Sequence, residues 1–211
     1  VLDFYRGVKS LLDRYDTLLV GGDTCASKQG LLISVTALGE ASRTAIIPRD
    51  GARPGDLIYV TGTLGDSGAG LELLRSAECG ARSGKPIKEK RPSGVNRLIE
   101  RHLRPVPRVE MGSKLASSGC ASAMIDVSDG LSSDLGHLCD ESGVGADIAL
   151  NRIPLSRALR SRKDLSREAT AYALSGGEDY ELLFTVPPIR ERKLQTLMID
   201  ARKIGVITKE R

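Results

Sequence analysis

Aromatic side chains are scarce in this chain: Phe and Tyr make up 3% of its 211 residues, and Trp is absent. Proteins that bind single-stranded nucleic acid stack the bases on aromatic rings, so this composition disfavours nucleic acid as a partner. The formal charge of +4 comes from dispersed clusters such as residues 85–91, which are typical of solvated surfaces. We therefore predict no nucleic-acid partner.

Cysteine and histidine are also few. The four cysteines show no CxxC spacing and are expected to be free thiols, and His102 and His137 are the only histidines. Structural zinc sites and serine triads require Cys or His at defined positions, so neither kind of site is predicted. The sequence also has no run of about 18 apolar residues, so we predict no membrane partner and a cytoplasmic protein.

The sequence does contain three acidic turns. Gly22-Asp23-Thr24, Asp126-Val127-Ser128-Asp129 and Gly177-Glu178-Asp179 each follow an apolar run. Strand ends can bring such carboxylates together around a ligand, and a cation such as Mg²⁺ relieves the repulsion between crowded carboxylates. Phosphate chemistry is a common use of that cation. A structural alternative stays open, because an Asp after a strand is often a helix cap and Gly-Gly is often a turn.

The common nucleotide-binding signatures are absent. No G-x-x-x-x-G-K-[ST] occurs, and the glycines between Gly65 and Gly70 have the wrong spacing for G-x-G-x-x-G. Their backbone N–H groups could still bind an anion at a helix start, although tight packing is the simpler interpretation.

Periodicity predicts a mixed α and β chain. Ser128 or Asp129 is expected to cap a helix with an apolar stripe at Leu131, Leu135 and Leu138. Apolar residues at helical spacing predict further helices near residues 2–15, 69–78, 95–102, 109–117 and 169–174, with another starting at 190–193. Short β-type runs predict strands near 18–20, 31–38, 45–47, 57–61, 123–127, 146–150 and 180–186.

Several motifs, in this order, resemble thiamine-monophosphate kinase, a family in the superfamily of aminoimidazole ribonucleotide synthetase. The pair Asp-Val-Ser-Asp-Gly-Leu and Gly-Gly-Glu-Asp-Tyr-Glu-Leu is the most specific part of the resemblance, whereas the shorter glycine motifs are weak singly. The resemblance covers nearly the whole chain. The matching segments are residues 20–24, 49–56, 60–67, 101–105, 124–131 and 176–182.

The resemblance implies a phosphotransferase with a phosphate group as acceptor. It would transfer a phosphoryl group from ATP, as co-substrate, to thiamine monophosphate, giving thiamine diphosphate, with several Mg²⁺ ions. No residue is assigned as a general base. By position, the family's roles fall on the following residues: Asp23, Asp126 and Asp129 for metal; Gly22, Asp23, Arg49, Ser128 and Tyr5 for ATP; and Glu178 for the substrate.

The implied architecture is α/β (α+β), with the two domains of the aminoimidazole ribonucleotide synthetase-like fold. Residues 1–48 would be a remnant of the amino-terminal ATP-binding and dimerisation domain, and residues 49–211 the carboxy-terminal domain. The family's amino-terminal segment has no counterpart before Val1. The resemblance implies a homodimer for the full-length protein. Because the segment is missing, the oligomeric state of this fragment stays undetermined, and we expect the fragment alone to have weak or no activity.

Two alternatives stay open. The first is another ATP-dependent synthetase or dehydratase of the same superfamily, which the Gly-Gly-Glu-Asp-Tyr signature disfavours. The second is a nucleotide-binding module without catalytic activity. Phosphate acceptor tests would decide the first, and nucleotide binding without ADP formation would support the second.

Overall fold

A computed structural model describes residues 1–82, 93–162, 164–165 and 167–209. The basic cluster at residues 85–91 lies outside this range. The chain divides into two compact units, Val1–Glu40 and Ala41–Arg211. Ile47 packs against a hydrophobic cluster of the second unit, and the Pro48 carbonyl accepts a hydrogen bond from the Met124 N–H. The assignment of residues 1–48 to a remnant of an amino-terminal domain stays a prediction.

The first unit contains one helix, α1, which spans Leu2–Arg14 and confirms the predicted helix. Lys9 pairs with Asp13 one turn later at 3.0 Å, an arrangement that supports an exposed helix by a few tenths of a kcal/mol. Its apolar residues lie mostly exposed, and Leu11 is 55% exposed.

The strands predicted at residues 18–20 and 31–38 were wrong. Residues 17–40, all of which the structure describes, contain no helix or strand, and every side chain among them is exposed. A β-strand requires a neighbouring segment to satisfy its N–H and C=O groups, and apolar character does not supply that neighbour. The strand predicted at 45–47 was also wrong, because Arg43–Ala45 forms a turn of 3₁₀-helix in which the Ser42 side chain accepts the Thr44 N–H.

The second unit is an antiparallel sheet with helices on its faces. Its strands in chain order are β1 (Leu57–Thr61), β2 (Ala123–Asp126), β3 (Gly145–Ile148), β4 (Leu182–Val186) and β5 (Ala201–Thr208). Its helices are α2 (Asp66–Arg82), α3 (Ser93–Leu103), α4 (Val109–Ser118), α5 (Leu131–Ser142), α6 (Arg157–Arg160), α7 (Ala169–Ser175) and α8 (Glu191–Thr196). The strand order is β2-β4-β1-β5-β3, and every neighbouring pair is antiparallel.

Alternation along the strands separates two hydrophobic cores. In β1, Ile58 and Val60 point into the larger core, which the apolar stripe of α5 completes, while Tyr59 points to the opposite face. On that face Tyr59 stacks on Phe184 of β4, with ring centroids 5.6 Å apart. Because both faces are covered, β1 and β4 are apolar nearly throughout, which explains why the sequence marks them clearly.

Most predicted elements of this unit are confirmed with shifts of a few residues at their ends, and one strand was missed. β5 lies between β1 and β3 in the sheet, but it carries Arg202 and Lys203 and only Ile204 and Ile207 are buried in it. Arg202 is exposed and Lys203 half-buried, so the segment lacked the apolar run by which the other strands were predicted.

The remaining expectations concern membranes and thiols. Within the described residues, no helix combines the length and apolar character needed to cross a membrane. Cys25, Cys120 and Cys139 are free thiols, as predicted, and the side chain of Cys79 lies outside the described part of the chain.

The stacked pair on the second core gives a stability prediction. Phe184 is fully buried, so Phe184→Ala should lower the free energy of unfolding by about 3–5 kcal/mol through lost contacts and a cavity. Ile189 is 91% exposed, so Ile189→Ala should change the free energy of unfolding by less than about 0.5 kcal/mol. Urea unfolding of both variants measures the difference, and similar values for the two would contradict the assignment of Phe184 to the core.

Candidate active site

Two acidic loops leave the same end of the sheet. The first acidic loop, residues 127–130, joins β2 to α5, and the second acidic loop, residues 176–181, joins α7 to β4. Asp126 at the end of β2 pairs with Leu182 at the start of β4. Because these strands are antiparallel neighbours, the loop after one and the loop before the other lie side by side.

Main-chain hydrogen bonds join the two acidic loops directly. The Glu178 N–H donates to the Ser128 carbonyl (N···O 2.7 Å), and the Tyr180 N–H donates to the Val127 carbonyl at 2.9 Å. In return, the Val127 N–H donates to the Glu181 carbonyl at 2.8 Å. The first loop is thus fixed in register against the second, so the carboxylates at 126 and 129 lie on one side of the contact and that at 178 on the other.

The close approach requires glycine at position 177. Gly177 has a φ of +63°, and a Cβ atom there would lie 2.5 Å from the Ser128 carbonyl oxygen. Any other residue would combine an unfavourable backbone conformation with a clash against main chain. The Gly-Gly pair therefore permits the hydrogen bonds that follow it.

Glu178 and Tyr180 both have left-handed backbones, with φ values of +58° and +50°. This conformation is uncommon for residues with a side chain and persists only where surrounding contacts enforce it. Here the N–H groups of both residues are bound to the first acidic loop. The strain therefore coincides with the contact between the loops.

Asp134 holds the first acidic loop from the side of α5. One of its carboxylate oxygens, Oδ2, accepts the N–H groups of Ser128 and Asp129, each at 3.0 Å. The predicted cap was wrong: the N-cap of α5 is Gly130, whose φ is +105°. The N-cap makes no side-chain hydrogen bond, and Asp134 instead binds two N–H groups of the loop that precedes the helix.

The carboxylates of the two loops act electrostatically on two neighbouring groups, Asp134 and Tyr180. Burial, together with the negative charges of Asp129 and Asp126, raises the pKa of Asp134, although the two N–H donors oppose this shift. Burial, followed by its hydrogen bond to Glu178 (Tyr180 Oη to Glu178 Oε2, 3.1 Å), raises the pKa of Tyr180, and Asp126 and Asp129 contribute. Asp126, Asp129 and Glu178 thus form one anionic neighbourhood, which disfavours further negative charge.

The donor set fits magnesium. Asp126 is half-buried, and Asp129 and Glu178 are exposed, so all three offer hard oxygen atoms near solvent. Within the described ranges, no three His, Cys, Asp or Glu side chains are arranged to hold a metal ion on their own. Mg²⁺ commonly binds through one or two protein carboxylates and completes its shell with water and substrate phosphates. A pair of aspartates at a strand end suits that mode.

The buried residues of the second acidic loop anchor it to two other helices. Asp179 is 1% exposed and accepts the N–H groups of Gly65 (2.6 Å) and Ser67 (3.2 Å) at the start of α2. Burial raises the pKa of Asp179 to about 6, although those N–H groups and Arg101 lower it. The N–H groups of Gly65 and Ser67 thus bind a protein carboxylate, and a Cβ atom at Gly68 or Gly70 would lie 3.1 or 2.2 Å from neighbouring main chain, which favours the packing interpretation of this stretch.

Glu181 is fully buried and satisfied by charged donors. Arg101 Nη2 at the end of α3 and Arg108 Nε before α4 donate to its carboxylate at 2.9 and 2.7 Å, and Thr61 Oγ1 donates at 2.6 Å. Arg101 Nη2 also donates to the Asp179 carbonyl at 3.2 Å. A buried ion pair with this many hydrogen bonds makes removal of one partner costly.

The other predicted site residues are not part of the two acidic loops. In the first unit, Asp23 Oδ1 accepts the Thr24 N–H at 2.7 Å, the Tyr5 hydroxyl bonds the Thr24 hydroxyl at 3.0 Å, and Gly22 lies beside them in the exposed segment. Arg49 belongs to the second unit, but its carbonyl accepts a bond from Ser142, the last residue of α5. Its main chain therefore lies at the far end of a 12-residue helix, about 18 Å along the axis from the first acidic loop.

Sequence reasoning missed the residues that position the acidic ones. Most of these residues lie inside the two acidic signatures or the motif at 101–105, so the sequence did mark their positions. A motif does not show which of its residues are buried or which partners they bind. Asp134 shows no signal beyond its place in the first turn of an apolar helix. The missed residues are Arg101, Arg108, Asp134, Asp179 and Glu181.

The second unit is thus an α+β domain that presents two hydrogen-bonded acidic loops at one end of an antiparallel sheet. Residues 53–211 match the model of the AIR synthase related protein, C-terminal domain. The chain belongs to this family of AIR synthase related proteins.

Several curated relatives are named thiamine-monophosphate kinase. The Haemophilus influenzae protein is 40% identical over 211 residues, covering 98% of this chain and 60% of the relative. The Salmonella typhimurium protein is 43% identical over 191 residues, and the match covers 90% of this chain and 54% of that relative. The Bacillus subtilis protein is 33% identical over 211 residues, covering 96% and 60%. The chain therefore spans somewhat more than half the length of these relatives.

Solved structures show the same fold. A structure of AaThiL complexed with AMPPCP and TMP has a TM-score of 0.65 at 40% identity, covering 78% of this chain and 48% of that one. The thiamine-monophosphate kinase of Stenotrophomonas maltophilia K279a has a TM-score of 0.66 at 35% identity, covering 81% and 53%. The hydrogenase maturation protein HypE in complex with ATP, at 18% identity and a TM-score of 0.51, shares the fold alone, covering 77% and 45%.

The raised pKa of Asp179 predicts a pH dependence of stability. An acid with a pKa raised from about 4 to about 6 binds a proton more tightly in the folded state. Its stabilising contribution is therefore complete below about pH 4 and is lost as the pH rises through 6. Relative to Asp179→Asn, which cannot titrate, the wild type should lose about 2–3 kcal/mol of stability between about pH 4 and 7.

Urea unfolding at a series of pH values measures this difference. Asp200→Asn, a change at an exposed carboxylate, is the matched control and should leave the pH dependence of the wild type unchanged. A constant difference between wild type and Asp179→Asn across the range would show that Asp179 stays ionised.

Proposed function

We propose that this chain is part of an ATP-dependent kinase that phosphorylates thiamine monophosphate to thiamine diphosphate. The observation that carries the proposal is the hydrogen-bonded pair of acidic loops, which brings the aspartates at 126 and 129 beside Glu178. The 40% identity to the Haemophilus influenzae kinase supports the choice of reaction. The likeness to a structure holding AMPPCP, a non-hydrolysable ATP analogue, and TMP supports both substrates.

In this proposal Asp126 and Asp129 hold magnesium at the end of β2. Bound there, Mg²⁺ would neutralise the charge of the ATP phosphates and orient them for in-line transfer. We propose that each site binds several Mg²⁺ ions, as the family resemblance implies.

The chain's own groups would act mainly by placement. Ser128 lies between the two aspartates, where its hydroxyl can contact a nucleotide phosphate, and Glu178 faces the same neighbourhood from the other loop. The acceptor is a phosphate oxygen that is already anionic, so no strong general base is needed. Accordingly, neither acidic loop contains a histidine.

The family resemblance assigns further nucleotide contacts to four other residues. Gly22, Asp23 and Tyr5 of the first unit, together with Arg49, are proposed to contact ATP, and Asp23 is also proposed to hold metal. These roles rest on the motif matches at residues 20–24 and 49–56. We further propose a homodimer for the full-length protein and a location in the cytoplasm.

The direct test measures thiamine diphosphate formation from thiamine monophosphate, ATP and Mg²⁺. The 211-residue chain should be assayed beside a full-length form, in which it is joined to the segments of the Haemophilus influenzae relative that lie outside the match. Turnover by the full-length form, and little by the chain alone, is the expected result.

Other outcomes point to the alternatives. ADP formation by the full-length form only with a different phosphate acceptor would assign it to another synthetase or dehydratase of the superfamily. Nucleotide binding without ADP formation, measured by calorimetry on both chains, would assign a binding role. The expected magnesium requirement is checked by replacing Mg²⁺ with a chelator in the same assay.

Removal of either metal-holding carboxylate should abolish turnover. In the full-length form, Asp126→Asn or Asp129→Asn should lower kcat/KM at least about 100-fold, since the charge that binds the metal is lost. Folding should persist, because each change relieves repulsion between neighbouring carboxylates. Steady-state kinetics at several Mg²⁺ concentrations and a thermal melt measure both effects.

Glu141→Gln is the matched control, because Glu141 is an exposed carboxylate near the opposite end of α5. It should retain wild-type turnover and the wild-type Mg²⁺ dependence. Unchanged rates in the variants at 126 and 129, or an equal loss in the control, would contradict the metal assignment.

A further inference from the structure

Asp134 lies outside both acidic loops and binds the first of them. It lies in α5, is 2% exposed, and accepts the N–H groups of Ser128 and Asp129 at one carboxylate oxygen. These N–H groups flank the peptide of Ser128, whose carbonyl accepts the Glu178 N–H at 2.7 Å. A single side chain thus fixes the peptide group through which the second loop is attached to the first.

The contact it fixes is a strained one. Glu178 and Tyr180 keep left-handed backbones only while their N–H groups remain bound to the carbonyls of Ser128 and Val127. If the peptide at 128 rotated, Glu178 would lose its acceptor and the loop could relax to a conventional backbone. On this geometry we expect the direction of the Glu178 side chain to depend on Asp134.

We propose that Asp134 is a positioning residue that couples the proposed metal and ATP side of the site, at residues 126–129, to the proposed substrate side at Glu178. The proposal rests on the proposed function for the identity of the two sides, but the coupling itself rests on the hydrogen bonds alone. Asp134 contacts neither substrate, so its effect is exerted through the loops.

Substitutions at Asp134 can test separately its role as a hydrogen-bond acceptor and its negative charge. Both N–H groups bind the same oxygen, Oδ2, so the single amide oxygen of Asn can replace it while Ala cannot. Asp134→Ala should raise the KM for ATP and for thiamine monophosphate and lower kcat/KM by about 10–100-fold, the usual effect of losing a supporting residue. Asp134→Asn should stay within about threefold of wild type, because geometry is kept.

Asp56 provides the structural control. It is a buried carboxylate, 4% exposed, that accepts the Arg53 N–H and the Ser122 hydroxyl. It precedes β1 at the end of the sheet opposite the acidic loops, since Leu57 pairs with Val186 whereas Asp126 pairs with Leu182. Asp56→Ala should destabilise the protein as Asp134→Ala does and leave both KM values at the wild-type level.

Hydrogen exchange gives a readout that does not depend on catalysis. In the 211-residue chain, Asp134→Ala should speed exchange of the Glu178 and Tyr180 amides by about tenfold or more, as their acceptors become mobile. Asp134→Asn and Asp56→Ala should leave these amides protected. Amide-resolved exchange by NMR measures each site separately.

A double-mutant cycle tests the coupling. In a Glu178→Ala background of the full-length form, Asp134→Ala should change the KM for thiamine monophosphate by less than about threefold, because the group it positions is gone. The proposal would be overturned if Asp134→Ala kept wild-type KM values and protected amides. It would also be overturned if Asp134→Asn lowered kcat/KM as much as Asp134→Ala does. Absence of thiamine monophosphate turnover in the wild-type full-length form would refute the proposed function instead, and the exchange data would still decide the role of Asp134.

Discussion

Main-chain hydrogen bonds between the two acidic loops are the interaction on which the candidate site depends. The loops carry like charges, so attraction between their side chains cannot hold them together. Their contact is made by backbone N–H and carbonyl groups of residues 127, 128, 178, 180 and 181, which have no net charge. Glycine at 177 permits the approach because any Cβ atom there would meet the Ser128 carbonyl. The carboxylates are therefore placed by the backbone and remain available to a ligand.

The second acidic loop divides its residues between two roles. Glu178 is exposed and Tyr180 half-buried, whereas Asp179 and Glu181 between and after them are buried. The buried pair binds the start of α2 and the arginines at 101 and 108. Half of the Gly-Gly-Glu-Asp-Tyr-Glu signature is therefore structural. The structural interpretation of the acidic motif, which the sequence left open, thus holds for Asp179 and Glu181, whereas the site role of Glu178 stays a proposal.

The fold was predictable where one segment carried enough information by itself. β1 and β4 are buried on both faces, so their apolar runs predicted them, and α5 was marked by its apolar stripe. Prediction failed where the structure depends on a distant partner. β5 is a strand because β1 and β3 flank it, despite its charged residues, and residues 31–38 are not a strand despite their apolar ones. A segment forms a strand only when a neighbouring segment pairs with it, and the sequence of one segment does not identify that neighbour.

The same limit applies to the site. The acidic residues were predictable because glycine and carboxylate at a strand end have few common uses, but Asp134 looks like any polar residue of a helix. Its significance follows from a distance, the 3.0 Å from Oδ2 to two loop N–H groups, and from burial that no motif encodes.

Electrostatics then explain why this arrangement suits a cation-dependent site. Burial, with a smaller contribution from the carboxylates at 126 and 129, raises the pKa values of Asp134 and Tyr180, so further negative charge is unfavourable there. Under the proposed function, ATP would bring further negative charge to the same place, which the protein alone would repel. Magnesium bound at Asp126 and Asp129 would reverse the sign of that interaction and, by binding the folded state alone, would also stabilise the loops. Nucleotide affinity and loop stability should therefore depend on the same ion.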